Sequence, residues 1–251
     1  MKYFVISDIH GFYKEMQIAL KEAGFDKDNP EHCLICCGDY LDRGPDPRAV
    51  IDYVLSLKNK VLIKGNHETL IRDCINRSEY FFHDIRNGTY QTVIDLAGVQ
   101  KTAPFHTACT IADPIFSRLE KELVNYYETE NYIFVHSWIP VISNLHSMPW
   151  HTHFDEELNP FSFNADWRDA HQKEWDNAMW GNPFDMVKRE LLPKKTVVFG
   201  HWHCSTGWAK IENRSEFDED AKFDPFYGDG FIAIDACTAH TGKCNVIVIE
   251  D

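Results

Sequence analysis

The chain has 251 residues, 44% of them hydrophobic and 25% charged, which is an ordinary globular composition and excludes a mostly disordered chain. Lys and Arg number 25 against 39 Asp and Glu, a formal net charge of −14, so binding to a nucleic-acid duplex is not expected and any phosphate site must build its own positive field. No apolar run approaches the roughly 20 residues of a membrane helix. Asp8 comes too early for a secretory signal peptide, so the reading is cytoplasmic with no membrane partner.

Short β-rich runs recur at residues 2–7, 33–37, 60–64, 132–136 and 196–200, and two more follow at 231–235 and 245–250. Continuous apolar runs of this length suit strands covered on both faces. Between the first runs lie helical patterns. Tyr13, Met16, Ala19, Leu20 and Ala23 share one face, and Gly24 can end that helix. Asp46-Pro47 is a helix start, with Ala49, Val50, Tyr53, Val54 and Leu57 on one side. Asp113-Pro114 is expected to repeat it, followed by Phe116, Leu119, Leu123 and Tyr126. Thr241-Gly242-Lys243 reads as a turn joining the last two strands. The β-α-β-α-β order predicts an α/β layered domain.

Residues 76–130, which are polar, aromatic and helical in pattern, and residues 143–195, rich in Trp and His, fit the alternation poorly. Both are read as cap-like excursions on a single domain spanning 1–251. Cys33 and Cys36 form a CxxC, yet one pair without a second is a weak metal signal, and buried reduced packing is preferred for these residues and Cys37.

Each of the first five strands closes on a polar cluster. In order these are Asp8-Ile9-His10-Gly11, Gly38-Asp39-Tyr40-Leu41-Asp42-Arg43-Gly44, Gly65-Asn66-His67-Glu68, His136-Ser137-Trp138 and Gly200-His201-Trp202-His203. Ligand crevices of open α/β sheets lie at such C-terminal strand ends. The donors are oxygen and imidazole nitrogen, which suit divalent Mn, Fe or Zn. They are too many for one ion and a sensible number for two that share a carboxylate, the arrangement used in phosphate chemistry.

The first three motifs, in this order, resemble the calcineurin-like metallophosphoesterase superfamily. Within it they are similar to the PPP-type branch of serine/threonine protein phosphatases and symmetrical diadenosine tetraphosphatases. The resemblance implies a four-layer α/β/β/α sandwich. It implies a first metal on Asp8, His10 and Asp39 and a second on Asp39, Asn66, His136 and His201, with Asp39 bridging. Arg43 would grip phosphate with help from Asn66, and His67, oriented by Asp42, would be the general acid. The cofactors would be two divalent ions, manganese first, iron or zinc next. Gly200-His201-Trp202-His203 departs from the branch and instead matches the Gly-His-x-His of the wider superfamily, which adds His203 to the first metal. Ser137-Trp138 replace the usual small residues, and Trp138 either narrows the mouth or packs. No Arg stands in Met179-Trp180-Gly181-Asn182-Pro183-Phe184, where a second phosphate-gripping Arg is common; Arg168 and Lys188 are the nearby candidates.

On this reading a water bridging the ions, acidified to hydroxide, attacks a phosphate monoester directly, and no phosphoenzyme forms. The partner is a phosphorylated substrate: a protein carrying phosphoserine or phosphothreonine, or alternatively a nucleotide or dinucleotide polyphosphate. A binding scaffold without turnover is the alternative of another class, disfavoured because the ligand set and the acid are intact. Other features carry bland readings beside functional ones. His146, His151 and His153 with Trp150 read as solvated loop or a further metal contact. The acidic stretch Glu216 to Asp220 with Asp224 reads as a connection, not a calcium loop. Trp167, Trp175, Trp180 and Phe184 line the cleft or pack, and Glu68 orients a helix start or a ligand histidine.

Overall fold

The computed structural model describes residues 1–140, 142–143, 161–162, 167–186 and 194–251. The first half alternates β1 (Lys2–Ile6), α1 (Tyr13–Glu22), β2 (His32–Cys36), α2 (Pro47–Ser56) and β3 (Lys60–Ile63). Four helices follow, α3 (Asn66–Arg77), α4 (Phe82–Asn87), α5 (Thr89–Ala97) and α6 (Phe105–Glu120), and then the short strands β4 (Leu123–Val124), β5 (Tyr127–Glu128) and β6 (Tyr132–Phe134). A small ribbon, β7 (Ile142–Ser143) with β8 (Phe161–Ser162), precedes a helical turn at Trp167–Asp169 and the helices α7 (Gln172–Ala178) and α8 (Pro183–Met186). The chain ends with β9 (Thr196–His203), α9 (Cys204–Glu212), β10 (Phe226–Gly228), β11 (Phe231–Asp235), α10 (Thr238–Thr241) and β12 (Val246–Glu250).

Two five-stranded sheets result. One has the order β12-β1-β2-β3-β4, parallel except for the β12 edge; the other has the order β10-β11-β9-β6-β5, parallel across β11, β9 and β6. Successive side chains of a strand face opposite ways, and three cores follow from that alternation. Phe4, Ile6, Leu34 and Cys36 point outward onto helices, meeting Met16, Val50, Val54, Ile71, Val93 and Phe116. Tyr3, Val5, Cys33, Ile35 and Cys37 point inward and meet Phe134, Val198, Ile232 and Ile234 between the sheets. Ile133, Val135, Val197, Phe199, Phe231 and Ala233 face the far side, under Trp138, Trp167, Trp175 and Cys204. The architecture is a four-layer α/β/β/α sandwich. No helix among the described residues is long and apolar enough to cross a membrane.

The inside-out alternation also settles the CxxC: Cys33 and Cys36, three apart in a strand, point into different cores, and all eight cysteines are free thiols. Two sequence expectations are corrected. Asp113-Pro114 does not start a helix. Pro114 lies inside α6, which begins at Phe105, and the Asp113 carboxylate takes Arg72 at 2.7 Å. A proline inside a helix costs about 3 kcal/mol. The buried stripe of Ala108, Cys109, Ala112, Phe116 and Leu119 outweighs it, since each large buried side chain contributes roughly 1.5–3 kcal/mol. The last two strands do not pair through a turn: α10 separates them, and β12 crosses to the first sheet beside β1. Asp46 does precede α2, but its side chain makes no cap hydrogen bond.

Candidate metal centre

The loops after the parallel strands converge at one end of the sandwich, and their backbones zip together there. Asp8 N donates to Gly38 O (3.1 Å), His10 N to Asp39 O (2.9 Å), Gly11 N to Tyr40 O (2.8 Å) and Gly200 N to His136 O (2.8 Å). In these loops Asp8, His10, Asp39, Asp42, Arg43 and His201 stand at φ of 50–68°. Such left-handed backbone costs a non-glycine residue on the order of 1–3 kcal/mol and persists only where surroundings over-determine it. Two glycines make room for the carboxylates: a Cβ on Gly65 would collide with Asp39 Oδ1, and one on Gly200 with Asp8 Oδ2.

Asp39 is the hub. Its Oδ2 lies 3.7 Å from His10 Nε2 and 3.9 Å from His67 Nε2, and its Oδ1 lies 3.4 Å from His136 Nε2. Two groups of ligand-type atoms therefore overlap on it: His10, Asp39 and His67, and Asp39, His136 and His201. His10 Nδ1 is bonded to Leu41 O (2.9 Å) and His136 Nδ1 to Cys37 O (2.8 Å), which turns both Nε2 atoms inward. One end of the Asn66 side-chain amide faces Asp39 Oδ1 and Oδ2, His136 Nε2 and His201 Nδ1 at 2.8–3.3 Å. These acceptors are satisfied either by the Asn66 NH₂ turned toward them or by a cation that the Asn66 oxygen joins them in holding.

The electrostatics follow from burial. Burial works against the charge on Asp39, and the imidazoles of His136, His67, His10 and His201 outweigh it, holding the carboxyl well below its usual range. Burial, with Asp39 adding, pushes Asp8 up to about 6. Burial holds His201 down to about 3 and His10 far below normal, keeping their rings neutral and fit to be ligands. His67 goes the other way: burial lowers it, but Asp39 and Asp42 raise it further. Its Nδ1 meets Asp42 Oδ2 at 2.7 Å, and its Nε2 meets Arg43 at 3.1 Å. The exposed Arg43 also donates to His10 Nε2 (2.8 Å).

A cavity of about 170 Å³ opens on this cluster, lined by Asp8, His10, Asp39, Arg43, Asn66, His67, His201 and His203, with Leu70, Asn87 and Trp180. Asp8 and His203 line it without entering either Asp39 group. Asp8 Oδ2 accepts the His201 N–H (2.9 Å), and His203 lies 3.7 Å from Glu216 and 4.0 Å from Asp235. Of the aromatic candidates Trp180 lines the cavity, whereas Trp138, Trp167 and Trp175 are buried in the outer core with Phe184 against it. Arg168 does not line the cavity; it is in a bidentate pair with Glu128 (2.8 and 2.6 Å). Lys188, His146, Trp150, His151 and His153 lie outside the described residues.

Several contributors were not legible as such. Glu68 accepts the backbone N–H of Asp39, Tyr40 and Gly65, each at 3.0 Å. Thr89 and Thr92 of α5 bond Asp42. The buried Asp235 ends β11 just as the other acidic residues end their strands, and that position was its one sequence signal.

A family model described as calcineurin-like phosphoesterase matches residues 1–205. The chain belongs to the calcineurin-like phosphoesterase family. The family acts on phosphoesters and works with divalent metal ions, for which the Asp39 groups and the Asn66 amide are a fitting donor set. The chain is 42% identical over 69 residues to the symmetrical bis(5'-nucleosyl)-tetraphosphatase of Buchnera aphidicola subsp. Schizaphis graminum, covering 27% of this chain and 24% of that one. It is 38% identical over 95 residues to an asymmetrical bis(5'-nucleosyl)-tetraphosphatase of Anoxybacillus flavithermus, covering 34% and 39%. The chain thus spans about a quarter of the length of the first of these relatives. The cold-active protein-tyrosine phosphatase of a psychrophilic Shewanella shares the fold, at TM-score 0.55 and 16% identity over 100% of this chain and 75% of that one.

Proposed function

We propose that this family member is a dinuclear enzyme that hydrolyses phosphate monoesters by direct transfer of the phosphoryl group to water, with phosphoserine or phosphothreonine proteins as its leading substrate class. The observation that carries the reading is the sharing of Asp39 between two groups of imidazoles. Asp8, His10, Asp39 and His203 would hold the first ion, and Asp39, Asn66, His136 and His201 the second, manganese being favoured over iron or zinc. When bound, the pair supplies an acidified water and neutralises charge on the phosphoryl oxygens.

The chain's own groups do the rest. Arg43, with five donors on a planar fork at the cavity mouth, grips the non-bridging phosphate oxygens. His67 presents Nε2 to the cavity and gives its proton to the leaving alkoxide. Asp42 holds the other ring nitrogen and favours the charged imidazole. The cationic cluster with Arg43 is how a chain of net charge −14 admits a phosphate. A second reading, hydrolysis of dinucleotide polyphosphates, is favoured by Trp180 in the cavity wall, a platform on which a base can stack, and by the names of the curated relatives.

The test is metal stoichiometry on stripped protein titrated with Mn, beside turnover of a phosphopeptide, nitrophenyl phosphate, bis-nitrophenyl phosphate and diadenosine tetraphosphate. Two ions per chain are expected, with Asp39→Asn weakening both and His136→Ala one. A single ion, or Asp39→Asn with both affinities intact, overturns the dinuclear reading. Faster turnover of the tetraphosphate than of the phosphopeptide selects the second substrate class.

A further inference from the structure

Asp42 belongs to the loop after β2, yet its anchors come from α5, inside the stretch that the sequence motifs leave unexplained. The Thr89 hydroxyl donates to Asp42 Oδ2 at 2.8 Å, the same oxygen that meets His67 Nδ1 at 2.7 Å. The backbone N–H of Asp42 donates to Thr92 Oγ1 at 3.0 Å. Asp42, His67, Thr89 and Thr92 are all buried, and Asp42 Oδ1 has no hydrogen-bond partner among the described residues. Asp42 and Arg43 sit at φ of 68° and 65°, and Gly88, just before Thr89, packs so closely on them that a Cβ there would strike the Arg43 backbone.

We infer that Thr89 and Thr92 are positioning residues for the general acid: from the first turns of α5, Thr89 fixes the carboxylate that aims His67 into the cavity and Thr92 fixes the Asp42 backbone that carries it. The inference rests on the reading of His67 as that acid. The physical reason is a missing redundancy. With Oδ1 unpartnered, the Asp42 carboxylate is oriented by two bonds to Oδ2 alone. Without the Thr89 hydroxyl it can turn about its Cβ–Cγ bond, and the His67 ring turns with it. A buried hydrogen-bond network of this kind specifies one geometry only while every member is present.

The experiment compares Thr89→Val, Thr89→Ser, Thr92→Val and His67→Asn, each checked for metal content, on alkyl phosphates and on nitrophenyl phosphate, whose leaving group needs no proton. General acids contribute on the order of 10²–10⁴-fold, so Thr89→Val should slow alkyl esters by about tenfold while nitrophenyl turnover falls far less. Thr89→Ser should restore the alkyl rate. In the metal-free protein the far-downfield proton NMR signal of His67 Nδ1–H should broaden or vanish in Thr89→Val and return in Thr89→Ser. Equal losses on both substrates, no rescue by serine, or an unchanged Nδ1 proton overturns the inference. If His67→Asn itself slows both substrates equally, the acid assignment falls, and the proton signal alone then decides whether Thr89 orients the pair. Should Thr89→Val not retain its metals, the Nδ1 proton signal of the metal-free protein decides: its loss in Thr89→Val with return in Thr89→Ser supports the inference, and an unchanged signal overturns it.

Discussion

Removing the Glu68 carboxylate tests whether the centre is built before any ion arrives. Its Oε2 accepts from Asp39 N and Gly65 N and its Oε1 from Tyr40 N, so it ties the β2 loop to the start of α3 and fixes the backbone on both sides of the shared ligand. In Glu68→Gln the better amide orientation keeps the oxygen on Asp39 and Gly65 and turns NH₂ toward the Tyr40 N–H. One buried donor is stranded at about 1–3 kcal/mol, and the two remaining bonds lose their charge assistance. Against this, the mutation removes a desolvated charge near Asp39, which returns part of the loss. The net expected destabilisation is about 1–3 kcal/mol for Gln, and roughly 2–5 kcal/mol for Ala, which strands all three donors. Burial and the neighbouring Asp39 push Glu68 up to about 7. Urea unfolding of the metal-free protein is therefore read about one pH unit above that, where the wild-type carboxylate is charged, and a constant m-value shows that only stability has changed. A Gln variant as stable as wild type, or Ala no worse than Gln, would refute the clamp.

Gly200→Ala should drive a methyl into Asp8 Oδ2 and Ser7, costing about 1–3 kcal/mol and weakening metal binding, as read by thermal unfolding with and without Mn. Arg43→Ala, at an exposed position, should change stability by no more than about 0.5 kcal/mol. It should raise KM for phosphoesters about tenfold, or about 1.4 kcal/mol of lost grip, and an unchanged KM would remove Arg43 from the phosphate site. Glu128 is held down to about 2 by Arg168 and Lys195, from an ordinary 4.5. Its folded value is below its unfolded one, so its contribution is full above about 4.5 and fades as pH falls toward 2. Wild type minus Glu128→Gln should show that decline in unfolding free energy between those limits; a flat difference counts against the pair.

The candidate ligand types and their order were legible because each sits where an apolar strand stops, and strand ends are local features. Asp8, His10, Asp39, Asn66, His67, His136 and His201 all line up this way, and periodicity placed α1, α2 and the seven main strands within one or two residues, although β9 runs on to His203. The helix start at Asp113-Pro114 misled because propensity for a proline at the first turn is a weak local preference, while the stripe from Ala108 to Leu119 gains its burial from α3 and α5 across the fold.

What the sequence determined by itself was the chemistry available: oxygen and imidazole donors after parallel strands, and too little positive charge elsewhere to hold a phosphate. Only the tertiary structure decided which of those donors meet. It gathered the first- and second-sheet loops around Asp39, turned His203 toward Asp235 and Glu216, spent Arg168 on Glu128, and brought Thr89 under Asp42 from 47 residues away. The division has a simple cause: a residue's type and its strand register are written locally, whereas a distance of 3 Å between side chains from different layers exists only once the cores that hold those layers have packed.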